Sequence, residues 1–229
     1  MELHSWPFSA GTSIEMHRNA AQRILGPISP DHTSPVMASL GWSTIPHIGN
    51  DHVEMIHLLS LSGSLRSTSS NTQALHAAAK LVPPGVAVDH YDEIGQLPHF
   101  NPDLEDHLPE SIVDLRARVV RADGLLISCP EYARGIPGSF KNMLDWLVGS
   151  PDFPGKPVAL FNTSPRASAA QAALKLVLET MSATIIPEAC ITLALLGKQA
   201  DPDAIASDPD NSEMLRRALQ AIVGHISAA

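Results

Sequence analysis

Cysteine is nearly missing from this sequence, with only Cys129 and Cys190 in 229 residues. Two thiols are too few for a disulfide framework or a cysteine zinc site, and they point to a reduced, cytoplasmic setting. Basic residues are also scarce, 15 against 24 acidic ones, giving a net charge of −9 at pH 7. A surface of that sign repels phosphate backbones and anionic lipid, which argues against nucleic-acid or membrane partners. No apolar run approaches the roughly 18 residues that a membrane helix needs. The first residues lack the basic region and apolar stretch of a signal peptide. HExxH, a nucleophile elbow and CxxC do not occur, and no two of the eleven histidines lie four apart. No metal ligand set is therefore expected.

What remains is ordinary globular composition, 44% hydrophobic and 17% charged, which excludes a wholly disordered or fibrous chain. Residues 1–54 differ from the rest. They hold Pro7, Pro27, Pro30, Pro35, Pro46 and five histidines, and only Ile14–Leu25 has the spacing of a short helix. The expectation is a poorly ordered N-terminal extension over 1–54 and a folded domain over 55–229. Met55, directly before the first clear strand, is a second candidate start.

From Ile56 onward strands and helices alternate. Ile56–Leu61, Val86–His90, Gly124–Ser128 and Pro157–Phe161 read as strands. Thr184–Ile186 and Cys190–Leu193 read as one broken fifth strand. Asn71–Leu81, Pro109–Arg121, Gly138–Val148, Ala169–Met181 and Ser212–Ile226 read as helices, with Ile112, Leu115, Val119 and Val120 of the second turned inward. Asp208 to Ser212 offers several caps for the last one. Most of the strands lack polar alternation, so both sheet faces are covered. Five such units fit a flavodoxin-like, doubly wound α/β fold with a five-stranded parallel sheet in the order 2-1-3-4-5. A ligand then belongs at the carboxyl ends of the strands.

The loop after strand one runs Gly63-Ser64-Leu65-Arg66-Ser67-Thr68-Ser69-Ser70-Asn71. Gly63 allows a tight turn. The hydroxyls and the amides at the start of the helix can donate to an anion, and Arg66 adds a planar guanidinium suited to phosphate. It is neither a P-loop nor a GxGxxG fingerprint, and a serine-rich helix cap is the plainer reading of the hydroxyls alone. After strand three, Pro130 turns the chain out of the sheet, and Gly135, Pro137 and Gly138 shape a loop whose backbone can face a planar heterocycle. Cys129, just before it, reads as a small buried hydrophobe. Lys141 and Asp145 are spaced for a modest ion pair, and Trp146 and Leu147 read as packing.

These segments resemble the NADPH-dependent FMN reductase family, which includes flavodoxin-like quinone, azo and chromate reductases. The phosphate loop GSxRxxSxN is matched by Gly63, Ser64, Arg66, Ser69 and Asn71. The likeness continues at Tyr91-Asp92, at Leu97 to Leu104, and most strongly from Pro130 to Leu147, spanning about residues 56–198. It implies a reductase domain over 55–229 with non-covalent FMN, NADPH or NADH as co-substrate, and a small-molecule electron acceptor such as free flavin, a quinone, an azo compound or a metal oxyanion. The cofactor carries the chemistry, so ping-pong kinetics would need no proton-transfer residue. The expected cofactor-binding residues are Ser64, Arg66, Ser69, Asn71, Pro130, Glu131, Tyr132, Ala133 and Ser164. Ala133 stands where many relatives carry Asn, leaving the backbone as its contact. The loop Asn162–Ser168 has no glycine where relatives often have a glycine-rich turn against the flavin, so Ser164, Arg166 and Ser168 can act through side chains. Arg166 can face the reduced flavin, the phosphates of a nicotinamide nucleotide, or solvent. Relatives form dimers or tetramers, and the apolar helix Gly138–Val148 suggests the surface for a homodimer or homotetramer. A one-electron carrier of flavodoxin type and a non-catalytic flavin-binding regulatory module remain alternatives.

Overall fold

The structure, a computed structural model, describes residues 55–195 and 201–229. The extension expected over residues 1–54 lies outside them. Strands β1 (Ile56–Ser62), β2 (Val86–Tyr91), β3 (Gly124–Ser128) and β4 (Pro157–Asn162) form a parallel sheet with two short outer strands, β5 (Thr184–Ile185) and β6 (Ile191–Thr192). The order is β2-β1-β3-β4-β5, with β6 also paired to β4. The anticipated break in the fifth strand is thus present. β5 pairs with the start of β4 at Pro157 and Val158, and β6 with its end at Phe161 and Asn162. Between them Pro187 opens a single 3-10 turn.

Helices α1 (Ser70–Lys80), α2 (Glu110–Arg121), α3 (Gly138–Val148), α4 (Ser168–Thr180), α5 (Pro202–Ser207) and α6 (Pro209–Ser227) cover both faces. β1 shows why. Leu59 and Leu61 pack with α2, α3 and α4, while Leu58 packs with α1, α5 and α6. β1 therefore feeds two cores, which explains why its successive residues Leu58 and Leu59 are both apolar. Asp208 caps α6 by accepting from the Asn211 amide. The helix starts three residues earlier than Ser212, at Pro209. The short α5 is absent from the sequence reading, since six residues carry too little period to register.

Two expectations about helix faces fail. Val120 points outward, 49% exposed, while its neighbour Val119 is fully buried. Two successive helical residues lie about 100° apart, and Ile112, Leu115 and Val119 already fill the inner stripe. The apolar surplus on α3 is absorbed within the chain: Phe140, Met143, Leu144, Trp146 and Leu147 are all buried, and of the apolar residues on that helix only Val148 is exposed. The loop after β2 folds over them. Pro98 O accepts from Trp146 Nε1 at 2.8 Å and from Asn142 Nδ2 at 2.9 Å, and Phe100 meets the Trp146 ring edge-on.

Candidate active site

The loops leaving β1, β3 and β4 meet at the carboxyl end of the sheet around a cavity of about 660 Å³. Ser64, Arg66, Ser69, Asn71, Pro130, Glu131, Tyr132 and Ser164 all line it. So do Arg166, the loop residues Thr68, Ser70, Asn162, Thr163 and Ala167, and, unforeseen, Cys129 and Leu195. Of the expected set only Ala133 stands outside the lining.

The β1 wall is built by short-range hydrogen bonds. Ser69 caps α1, its Oγ accepting from the Asn71 amide at 3.2 Å. Ser64 Oγ accepts from the Arg66 amide, and Ser62 Oγ accepts from the Ser64 amide. The hydroxyls thus cap and turn the chain, as the plainer reading held. They also leave Ser70, the first residue of α1, at the cavity, where the helix dipole favours an anion. Arg66 is exposed, with Nη2 3.3 Å from Thr68 Oγ1, and makes no ion pair among the described residues. Gly63 serves closeness, not a left-handed turn. Its amide donates to Ser128 O at 2.8 Å, and a Cβ there would sit 2.6 Å from Cys129 Sγ and 3.0 Å from Cys129 Cα. Burial pushes the Cys129 thiol up to about 12, so it stays protonated, as a small hydrophobe should.

Asn71 does more than sequence could tell. It is buried, and its Oδ1 lies 2.9 Å from Ser128 Oγ and 3.2 Å from Thr163 Oγ1. One carboxamide thereby joins the start of α1 to the ends of β3 and β4. Both partners are hydroxyl residues at strand ends, a faint signal that only the sheet order makes readable.

The β3 wall is a two-residue hairpin. Tyr132 and Gly135 exchange both backbone hydrogen bonds, at 3.1 and 3.0 Å, around Ala133 and Arg134. Those two carry φ of 49° and 62°, a left-handed pair that most residues avoid. Glycine lies at position 135, one residue too late to relieve it. Glu131 turns away to the β4 side. Its Oε2 accepts from the Ala169 and Ala170 amides at 2.9 and 3.0 Å, capping α4 from a different loop. An acid at a helix N-terminus is favourably placed, and this one ties two cavity walls together. On the β4 wall, Ser164 Oγ accepts from the Arg166 amide and Ser164 O from the Ala167 amide. That turn sets Arg166 at the rim.

The NADPH-dependent FMN reductase family model matches residues 56–195, the segment that carries all three loops. The chain belongs to this family. It is 43% identical over 105 residues to a 2-hydroxy-1,4-benzoquinone reductase of Burkholderia sp, covering 44% of this chain and 57% of that protein. It is 39% identical over 112 residues to an NAD(P)H-dependent FMN reductase of Pseudomonas aeruginosa, covering 48% and 60%. These matches thus span less than two thirds of the relatives' length. Among solved structures, FerB of Paracoccus denitrificans, a flavoenzyme NAD(P)H:(acceptor) oxidoreductase, aligns with 76% of this chain and 98% of its own. Its identity is 32% and its TM-score 0.64. The family's fold accounts for the observed strand order.

Proposed function

We propose that the protein is an NAD(P)H-dependent oxidoreductase that holds FMN non-covalently and reduces a small-molecule acceptor. The observation that carries this is the convergence of three strand-end loops on one cavity, with an anion cradle on one wall and the Pro130–Tyr132 backbone on another. The donor set fits FMN. Arg66, Ser64, Ser69 and the first amides of α1 suit a phosphate, with Asn71 bracing their floor. Beside the hairpin, where Tyr132 spends its amide and carbonyl on Gly135, the Glu131 amide and the Pro130 and Glu131 carbonyls are the main-chain groups that suit a flavin edge, and Ser164 closes the β4 side. The Glu131 carboxylate is occupied by α4, so its share in binding is through the main chain. Bound FMN supplies the two-electron chemistry between nicotinamide and acceptor. The relatives' names, one a benzoquinone reductase and one an FMN reductase, favour a quinone or a free flavin as acceptor.

The activity is assigned to residues 55–229, in a cytoplasmic homodimer or homotetramer. Val113 and Val120, exposed on one face of α2, offer apolar surface for self-association. No described helix is long and apolar enough to cross a membrane. Mixing the FMN-loaded protein with NADPH under nitrogen tests the reading. Flavin absorbance should bleach and return on adding benzoquinone. Persistent colour with both NADPH and NADH would reject it.

A further inference from the structure

We infer that Arg166 binds a phosphate of the nicotinamide nucleotide, an assignment that rests on the reductase reading. The cavity presents arginines from two loops, Arg66 after β1 and Arg166 after β4. β3 lies between those strands, so the loops leave the sheet about 10 Å apart. FMN carries one phosphate. The Arg66 side has the neutral donors to hold it: the Ser69-capped start of α1 and the hydroxyls of Ser64 and Thr68.

Arg166 has a different setting. The nearest helix start, that of α4, is already answered by Glu131, whose carboxylate takes the Ala169 and Ala170 amides. Glu131 is also, among the described residues, the one acidic residue lining the cavity. Arg166 has no carboxylate within ion-pair range among the described residues. Its guanidinium is therefore an uncompensated charge on a cavity rim, in a chain of net charge −9. Two hydrogen bonds to Ser164 fix the turn that holds it there. A second cation on this rim calls for a second anion. A quinone or flavin ring brings none, whereas NADH brings a pyrophosphate and NADPH a further 2′-phosphate. A planar guanidinium suits either.

The test uses the full-length, FMN-loaded protein and its Arg166→Ser variant, with benzoquinone as acceptor. The KM for NADPH should rise roughly 10- to 150-fold at low salt, the range of a charged hydrogen bond, with kcat little changed. Calorimetric titration with NADP+ should show a loss of similar size. Added salt should raise the KM of the parent more than that of the variant. Arg166→Lys should recover part of the loss, and Arg217→Ser, on α6, should behave as the parent. A rise for NADPH alone assigns Arg166 to the 2′-phosphate, and an equal rise for NADH assigns it to the pyrophosphate. Either result upholds the assignment. A KM within twofold of the parent for both nucleotides overturns it, as does a matching loss of FMN affinity. A parent that oxidises neither nucleotide sinks the reductase reading itself, whereas normal turnover beside an unchanged variant sinks only the role of Arg166.

Discussion

Arg66 is the only Lys or Arg between Ile56 and Lys80, so the β1 loop has no other side-chain cation to offer a phosphate. FMN phosphate is close to a dianion at neutral pH. Replacing Arg66 by Ala should weaken FMN about 10- to 150-fold, while riboflavin, which lacks the phosphate, should bind almost as before. Flavin fluorescence titration reads both, and equal losses would mark a collapsed loop. His90 makes a second residue-scale prediction. Its Nδ1 is hydrogen-bonded to Ser60 Oγ, and its ring lies 4.3 Å from that of His76, whose Nε2 is buried without a partner. Burial, then the neighbouring His76, lower its pKa below the ordinary 6.5, against a weaker pull from Asp92 and Asp89. The unfolded chain then binds this proton more readily than the folded one. Stability contributed here is complete above about pH 6.5 and falls as the pH drops from there toward the lowered value. His90→Gln should flatten that part of a urea-midpoint-against-pH curve, and an unchanged slope would exclude His90 as its source.

At the scale of elements, the strands and long helices were legible because each carries a clear apolar pattern. Strand order followed from the fit of five such units to a flavodoxin-like, doubly wound sheet. The loops were legible only in part. GSxRxxSxN located the β1 wall, but the link from Asn71 to Ser128 and Thr163 joins residues 57 and 92 positions apart, and no local pattern encodes it. Glu131 was placed at the site by resemblance, yet its carboxylate serves α4. Glu131→Ala should therefore lower stability by about 1–2 kcal/mol, with Glu131→Gln in between, as read by denaturant midpoint. No change in either variant would remove the capping role. The Ala133-Arg134 turn was invisible because glycine stands at 135, not within the pair. Its left-handed backbone costs roughly 1–2 kcal/mol per residue. Ala133→Asn, which tolerates that region, should raise the midpoint by the equivalent of about 1 kcal/mol, and a lower midpoint would reject the strain.

At the scale of the whole molecule, the family match and the three loops all fall within residues 56–195. A protein beginning at Met55 should thus bind FMN and turn over like the full chain, and should run as a dimer or tetramer by light scattering. Loss of flavin affinity would show that residues 1–54 contribute to the site, and a monomer at micromolar concentration would remove the oligomer. The outer margin of the sheet has a consequence of another kind. β5 and β6 are two residues each, separated by the turn at Pro187. A margin so short and interrupted gives a foreign strand almost no run of free amides to zip onto. The molecule should accordingly resist templated, fibre-like growth from that side even when concentrated.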